Sequence, residues 1–167
     1  MPQLIGSIAC FALAHVRGRN EELLLAAAIG LLLTTLCFGL WPALGPIILF
    51  GYGALHPEEA SRVGAYIPDL LALRHGPPWH FELTRMQGII CLPSYHTVLA
   101  LLLIHAHRGL RWSMPPVALL NALMLISIPS EGGHYLADMA AGAPVALAAI
   151  AAARLLCRRD PRLRAAS

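Results

Sequence analysis

The sequence predicts an all-α fold, a polytopic transmembrane helix bundle that forms one domain over residues 1–167. Hydrophobic residues make up 57% of the chain and charged residues only 13%, and the mean hydropathy is +0.65. Soluble domains usually carry about 25% charged residues. In addition, four apolar runs approach the roughly 20 residues that a helix needs to cross a bilayer. These observations predict four full spans and a partial N-terminal helix.

The partial helix comes first, at residues 4–16. It is too short for a full span, and Arg17 and Arg19 follow it rather than precede it. This order of charge argues against a cleaved signal peptide, whose positive residues come first. We therefore interpret the segment as part of a helix of the bundle.

The full spans are predicted at residues 21–41, 89–106, 112–129 and 134–156. Pro42 closes the first of them, and prolines and glycines are frequent from there to the second. Within that connection, residues 67–74 (IPDLLALR) predict a short interfacial helix, because Pro68 suits a first helical turn.

The arginines predict the orientation of the bundle. All basic residues other than histidine are arginines, and if the spans alternate in direction most of them share one side of the membrane. That side holds Arg17, Arg19, Arg108, Arg111, Arg154, Arg158, Arg159, Arg162 and Arg164. Arg62, Arg74 and Arg85 fall on the other side. The positive-inside rule places the larger group in the cytoplasm. We therefore expect an integral protein of a bacterial cytoplasmic membrane, with the starts of the second and fourth spans on the outer face.

Composition also excludes some functions. The net charge of +3 is small and does not cluster with aromatic residues, so we expect no nucleic-acid partner. The four cysteines are widely spaced in or beside apolar runs, which is typical of free packing thiols. No motif indicates a cofactor.

Polar residues converge at the predicted outer face. His134 and Asp138 are spaced i,i+4, so on a helix they lie within contact of each other. An aspartate that accepts from one ring nitrogen would leave the other nitrogen free as a nucleophile or base. His96 and His134 each open a span that runs in the same direction, near helix N-termini that attract anions. This arrangement suggests phosphoryl transfer through a phosphohistidine.

Small residues beside the histidines suit the same anionic ligand. Gly132 and Gly133 let the backbone approach it closely. Ser94 can cap its helix while it offers a hydroxyl group. We therefore predict Ser94, Gly132 and Gly133 as substrate-binding residues.

The two motifs resemble those of a known family. PSYH at residues 93–96 is similar to the PSxH motif, and HYLAD at residues 134–138 to the HxxxD motif, of the type 2 phosphatidic acid phosphatase superfamily. The wider pattern, QGIICLPSYHT followed by EGGHYLADMAAG, looks like the inositol phosphorylceramide synthase-like, or inositolphosphotransferase, branch. The resemblance covers residues 66–143. It implies a nucleophile at His134, an orienting carboxylate at Asp138 and a general acid and base at His96.

The chain departs from the superfamily pattern at two places. The Lys-x6-Arg-Pro motif is missing, since the chain has no lysine, and Ser127–Ile128 stand where the family has Ser-Arg. We predict Arg74 as the substitute cation for phosphate, although it could equally be an interfacial arginine that reaches towards water. The resemblance implies a six-helix core, of which this chain offers a version shortened at its N-terminus.

Together these features predict a metal-independent membrane enzyme that hydrolyses or transfers the phosphoryl group of a lipid phosphate or phospholipid. The proposed residues serve hydrolase and transferase equally. Two alternatives stay open: a zinc site formed by His96, His134 and Asp138, and a non-catalytic family member that binds a lipid head group.

Overall fold

The computed structural model describes residues 2–13, 17–43, 67–76, 90–130 and 134–159. Within these ranges the regular structure is entirely helical, which confirms the predicted all-α class. The helices are α1 (Pro2–Leu13), α2 (Arg17–Leu40), α3 (Ile67–His75), α4 (Tyr95–Ala106), α5 (Met114–Ser130) and α6 (Leu136–Arg159). The partial N-terminal helix and the short helix after Pro68 are thus both present, as α1 and α3.

The prediction of four full spans is confirmed only in part. Two stretches, Gly18–Leu40 and Leu136–Arg159, are long and apolar enough to cross a membrane. Helix α4 has 12 residues and α5 has 17. At 1.5 Å per residue they extend about 18 and 26 Å, less than a hydrocarbon core of roughly 30 Å.

Helix α4 is shorter than predicted because its apolar run begins in irregular backbone. Residues 90–94 lie outside the helix. Pro93 has no backbone N–H to donate, and the N–H of Ser94 donates across the bundle to the carbonyl oxygen of Asp138 at 3.0 Å. Apolar composition alone does not reveal that the amide of Ser94 bonds to another helix instead of continuing α4.

Helices α2, α4 and α6 pack on one another and form the core, while α1 packs on α2 and α5 packs on α4. The inner faces carry small residues as well as leucines: Ala26, Ala146, Ala149 and Ala153 are buried together with Leu23, Val98 and Leu102. Small side chains let helix backbones approach each other closely. At Gly30 an added Cβ atom would lie only 2.9 Å from Cγ1 of Val98.

Large apolar side chains cover the outer surface instead. Only 28% of the apolar window in each of the two long helices is buried. Leu32, Leu36 and Leu40 on α2 and Leu147 on α6 are all more than half exposed. A core helix of a soluble protein is mostly buried, and these two helices are not.

One end of the bundle is held by charge. Glu22 on α2 accepts hydrogen bonds from Arg108 at 3.2 Å and Arg154 at 3.3 Å, and lies 3.1 Å from Nε2 of His105. Arg19 donates to the carbonyl oxygen of Ala106, the last residue of α4, and to that of Arg108 just beyond it. These contacts join α2, α4 and α6 where α4 and α6 end. The candidate site lies where the same two helices begin.

Candidate active site

The first turns of α4 and α6 lie side by side at one end of the bundle. The hydrogen bond from the Ser94 N–H to the Asp138 carbonyl connects them. The hydroxyl group of Tyr95 donates to the carbonyl oxygen of Ala27 at 3.2 Å and ties the start of α4 to α2. Two parallel helices therefore present their N-termini, with the positive ends of their dipoles, to the same space.

His134 lies two residues before α6, and not on the helix as predicted. Its Nδ1 atom is 2.9 Å from the carbonyl oxygen of Cys91 and 3.7 Å from Oδ2 of Asp138. A carbonyl oxygen can only accept, so Nδ1 carries a proton, and in the neutral ring Nε2 then has the lone pair. The nearest partner of Nδ1 is therefore the main-chain carbonyl of Cys91, and the carboxylate of Asp138, the predicted orienting group, lies further away.

Asp138 closes the start of its own helix. Its Oδ2 atom accepts the backbone N–H of Tyr135 at 2.8 Å. Tyr135 precedes the first helical residue and Asp138 is the third, so this bond is one half of a capping box. The residue is only 3% exposed. Its negative charge nevertheless remains close to the imidazole ring of His134, where it would stabilise a positive charge on that ring.

His96 lies in the first turn of α4 and is exposed. The centroids of the His96 and His134 rings are 6.0 Å apart, with an angle of 69° between the ring planes. The two imidazoles are thus neighbours although 37 residues of sequence separate them (134 − 96 − 1). A tetrahedral phosphoryl group between them could touch both rings.

Ser94 occupies the N-cap position of α4, but its hydroxyl makes no capping bond. This corrects the expectation that it would cap the helix. The residue is fully buried, and its Oγ atom has no hydrogen-bond partner among the described residues. The Oγ1 atom of Thr97, 5% exposed and one turn further on, is in the same state. Buried hydroxyls are normally paired, so both groups have hydrogen-bonding capacity to offer.

The structure does not describe how three of the predicted substrate-binding residues are placed in the site. Gly132 and Gly133 lie outside the described residues, between α5 and α6. Arg74 lies in α3, and its side chain is also outside the described part. The assignment of these residues to phosphate binding stays a prediction.

Sequence reasoning missed two parts of the site. The Cys91 carbonyl was missed because a main-chain acceptor leaves no mark on residue type. Gly142 was missed although it ends the segment HYLADMAAG. An added Cβ atom there would lie 2.8 Å from the carbonyl oxygen of Ser94 and 3.0 Å from Cβ of Thr97. Gly142 is four residues after Asp138 on α6 and faces α4, a helical spacing that could have indicated it.

A metal-binding arrangement was the open alternative for these side chains. In the part of the chain that the structure describes, no group of three histidine, cysteine, aspartate or glutamate residues is placed to hold a metal ion. The geometry around His134 is instead that of an imidazole fixed by hydrogen bonding.

Comparison with known proteins identifies the family. No curated protein and no solved structure matches the chain. A family model described as the PAP2 superfamily, that is, the type 2 phosphatidic acid phosphatase superfamily that the motifs resemble, matches residues 1–152. The match covers α1 to most of α6 and includes both histidines, and it does not distinguish between branches of the superfamily. The chain therefore belongs to the PAP2 superfamily, whose members are generally phosphatases.

Proposed function

We propose that the protein is an integral membrane lipid-phosphate phosphatase or phosphotransferase that works through a phosphohistidine at His134. The observation that carries this proposal is the hydrogen bond from Nδ1 of His134 to the Cys91 carbonyl, 2.9 Å long. In the neutral ring this bond leaves Nε2 unprotonated, and the centroid of a second imidazole, that of His96, lies 6.0 Å from the centroid of the His134 ring. A fixed nucleophilic nitrogen and a separate proton carrier are the two groups that the reaction requires.

In the first half of the proposed reaction, Nε2 of His134 attacks the phosphorus atom. The bond between nitrogen and phosphorus forms, and the ester bond to the lipid oxygen breaks. Protonated His96 gives its proton to the departing oxygen, so that a neutral lipid alcohol leaves. The positive charge that develops on His134 is stabilised by Asp138 at 3.7 Å.

The second half uses His96 in reverse. Neutral His96 accepts a proton from water, or from an acceptor alcohol, as its oxygen attacks phosphorus and the bond to Nε2 breaks. With a lipid phosphate monoester, water yields inorganic phosphate and an acceptor alcohol yields a new phosphomonoester. With a phospholipid, water yields the head-group phosphate and an acceptor alcohol yields a new phosphodiester. The buried hydroxyl of Ser94 and the amides at the starts of α4 and α6 support the phosphoryl oxygens throughout. Gly132, Gly133 and Arg74 are proposed to complete this binding site.

A lipid substrate suits the position of the site. The histidines lie at the end of a bundle whose long helices expose leucines over most of their length. A phosphate group at that end can reach His134 while acyl chains remain beside the helices. We further propose that this end faces outward from a bacterial cytoplasmic membrane, on the basis of the arginine distribution. The inositolphosphotransferase branch, proposed from the QGIICLPSYHT and EGGHYLADMAAG segments, would use an inositol head group.

The proposal is tested with purified protein in detergent and a panel of lipid phosphates and phospholipids, by assay of phosphate release and head-group exchange. His134→Ala and His96→Ala should each lower turnover by at least about a thousandfold. His105→Ala, a histidine at the other end of α4, is the matched control and should turn over substrate normally. Wild-type turnover by His134→Ala would remove it from the nucleophile role.

The same assay separates the alternatives. Activity should persist in EDTA, because the proposed nitrogen nucleophile needs no Lewis acid. Loss of activity in EDTA that zinc restores would support the metal-site alternative. The absence of lysine, and so of the Lys-x6-Arg-Pro motif, favours the rival in which the chain only binds a head group. Lipid-phosphate binding without turnover on any substrate of the panel would support that rival.

A further inference from the structure

The end of the bundle where α4 and α6 finish carries more positive than negative charge. Its charged and titratable side chains form a group that we call the charge cluster: Arg19, Glu22, His105, Arg108 and Arg154. Within this described cluster three guanidinium groups face one carboxylate, so two positive charges are in excess when His105 is neutral. The neighbouring Glu21 reduces the excess to one and does not remove it. The cluster therefore has capacity for a further anion.

Glu22 does not use all the hydrogen-bond donors that surround it. Its Oε1 atom already has three partners: Nη2 of Arg108 at 3.2 Å, Nε of Arg154 at 3.3 Å and Nε2 of His105 at 3.1 Å. Nη2 of Arg108 also donates to Oε2 at 3.3 Å. Both terminal nitrogens of Arg154 and Nη2 of Arg19 have no hydrogen-bond partner among the described residues. These N–H groups can donate to a second anion.

The arginines can be reached from outside the bundle. The side chains of Arg108 and Arg154 are 38% and 40% exposed. The recess that Arg19, Glu22 and Arg108 line has a volume of only about 10 Å³, which is the space of one water molecule. A larger anion must therefore lie over this recess, on the exposed ends of the arginines. Guanidinium groups bind phosphate there with pairs of parallel N–H···O bonds.

The surface beside the cluster suits the acyl chains of a lipid. Leu147, seven residues before Arg154, lies on nearly the same face of α6 and is 66% exposed, and Ala151 between them is exposed as well. Trp112, between α4 and α5, is 95% exposed and belongs to a residue type that is enriched at membrane interfaces. A phosphate group at Arg154 thus has an apolar helix face directly below it. We propose that the charge cluster binds the head group of an anionic phospholipid whose acyl chains lie along α6.

This binding site is separate from the candidate active site. The cluster surrounds the end of α4, whereas His96 is in the first turn of that helix. The arginine distribution predicts that the cluster faces the cytoplasm, and basic pockets between helices on that side of a membrane bind anionic head groups. The proposal rests on the proposed membrane location and on no step of the proposed reaction. Lipid binding at the cluster and turnover at His134 can therefore fail separately.

The experiment measures lipid binding to the purified full chain in a nonionic detergent by native mass spectrometry. The probe is phosphatidylglycerol, and the matched lipid is phosphatidylcholine with the same acyl chains and no net charge. We expect phosphatidylglycerol to bind at least about fivefold more tightly, because only its head group brings a net negative charge to the arginines. Excess inorganic phosphate should not displace it, since the acyl chains contribute to binding. Equal binding of the two lipids, or displacement by phosphate, would overturn the proposal.

Matched arginine variants separate the cluster from the general positive charge of this end. Arg108→Gln and Arg154→Gln should each weaken phosphatidylglycerol binding at least about fivefold. Arg111→Gln and Arg159→Gln remove the same charge at exposed positions outside the cluster and should stay within about twofold of the wild type. Arg159 is five residues after Arg154 and so lies towards the other side of α6. Equal losses in all four variants would show that the binding is non-specific.

A gain of binding excludes misfolding as the explanation. Glu22→Gln removes the anion that competes for the arginines and should raise the affinity for phosphatidylglycerol at least about threefold. Glu21→Gln makes the same change in net charge and should stay within about twofold. His134→Ala, at the candidate active site, should bind the lipid like the wild type. Unchanged affinity in Glu22→Gln, or loss of binding in His134→Ala, would overturn the proposal.

Discussion

At the scale of single residues, the carboxylate of Asp138 makes two contacts that suggest two different roles, one in starting α6 and one beside His134. Its carboxylate accepts the Tyr135 N–H at 2.8 Å and stands 3.7 Å from Nδ1 of His134. The shorter contact stabilises the start of α6 and does not require a full negative charge. The longer contact is electrostatic, and it would matter most in the proposed phosphoryl transfer, in which the imidazole becomes positively charged.

Asp138→Asn separates these two relations. The asparagine oxygen can still accept the Tyr135 N–H, so the melting temperature should stay close to that of the wild type. Loss of the charge should lower kcat by about 10- to 100-fold, since the positive ring is no longer stabilised.

Asp138→Ala is the companion variant and should lower both kcat and stability, the latter by about 1 kcal/mol for the lost cap. Kinetics and thermal unfolding measure the two effects. If Asp138→Asn turns over substrate like the wild type, the carboxylate serves only to start the helix.

The topology and the i,i+4 spacing were sufficient to predict that His96, His134 and Asp138 lie close together. His96 and His134 open helices that run in the same direction, so topology alone makes them neighbours. The spacing could not predict which atom orients His134. The Cys91 carbonyl belongs to a residue whose side chain has no part in that contact, and backbone at residues 90–94 had been predicted as helix.

At the scale of elements, the contact between the first turns of α4 and α6 sets the geometry of the site. Gly142 leaves no room for a side chain against Ser94 and Thr97. The closest atom there is a backbone oxygen, which cannot turn aside as a side chain can. The separation of the two helices is therefore transmitted directly to the separation of His96 and His134.

Gly142→Ala should lower kcat at least about tenfold, because a Cβ atom 2.8 Å from the Ser94 carbonyl has to displace the start of α4. Two other glycine variants are matched controls for this change. Gly30→Ala crowds a side-chain atom of Val98 at 2.9 Å and should reduce the melting temperature with kcat within about twofold.

At Gly39 an added Cβ atom meets nothing within 4 Å, so Gly39→Ala should lower neither kcat nor the melting temperature. Steady-state kinetics and thermal unfolding of the three variants provide the comparison. A normal kcat for Gly142→Ala together with reduced stability would show that the contact holds the fold and leaves the histidines in place.

At the scale of the whole molecule, the charge cluster and the candidate site lie at opposite ends of the described bundle. Glu22 joins three helices at one end through His105, Arg108 and Arg154. The histidine pair occupies the other end. This separation makes it possible to alter the stability of the bundle with little effect on chemistry.

Glu22→Gln should lower the free energy of unfolding by on the order of 1–3 kcal/mol, since it leaves two arginines close together without their anion. The kcat of the folded enzyme should stay within about twofold. Glu21→Gln changes the net charge by the same amount, and its Oε2 atom has no hydrogen-bond partner among the described residues. Thermal unfolding should therefore show a large effect only for Glu22→Gln; equal effects of the two variants would mean that net charge, and not the cluster, is responsible.

The orientation of the bundle can be measured in intact cells. In a cysteine-free background, Gly133→Cys should react with a membrane-impermeant maleimide, and Leu110→Cys should react only after the cells are opened. The reason is the concentration of arginines on the side of Leu110. Reaction of Leu110→Cys alone in intact cells would show that the histidine end faces the cytoplasm.

The helical class and the order of the helices could be predicted from composition, because apolar runs separated by arginines and prolines leave few other solutions. The lengths of the helices could not. The run at residues 89–106 gives a 12-residue helix, since Pro93 has no N–H and the N–H of Ser94 bonds to Asp138 at the start of α6. Hydrophobicity indicates which segments are apolar, but it does not show which backbone groups form hydrogen bonds within the segment.

The distribution of side-chain size has a consequence for handling the protein. Alanines and glycines occupy much of the space between α2, α4 and α6, whereas leucines such as Leu32 and Leu147 point outward. The apolar side chains on the surface of the folded protein are thus larger than many of those in its interior. When detergent is removed by dilution, folded molecules should associate without first unfolding, because their large apolar side chains are already exposed. Precipitates that form in this way should keep their helical circular dichroism and redissolve as active protein when amphiphile is returned.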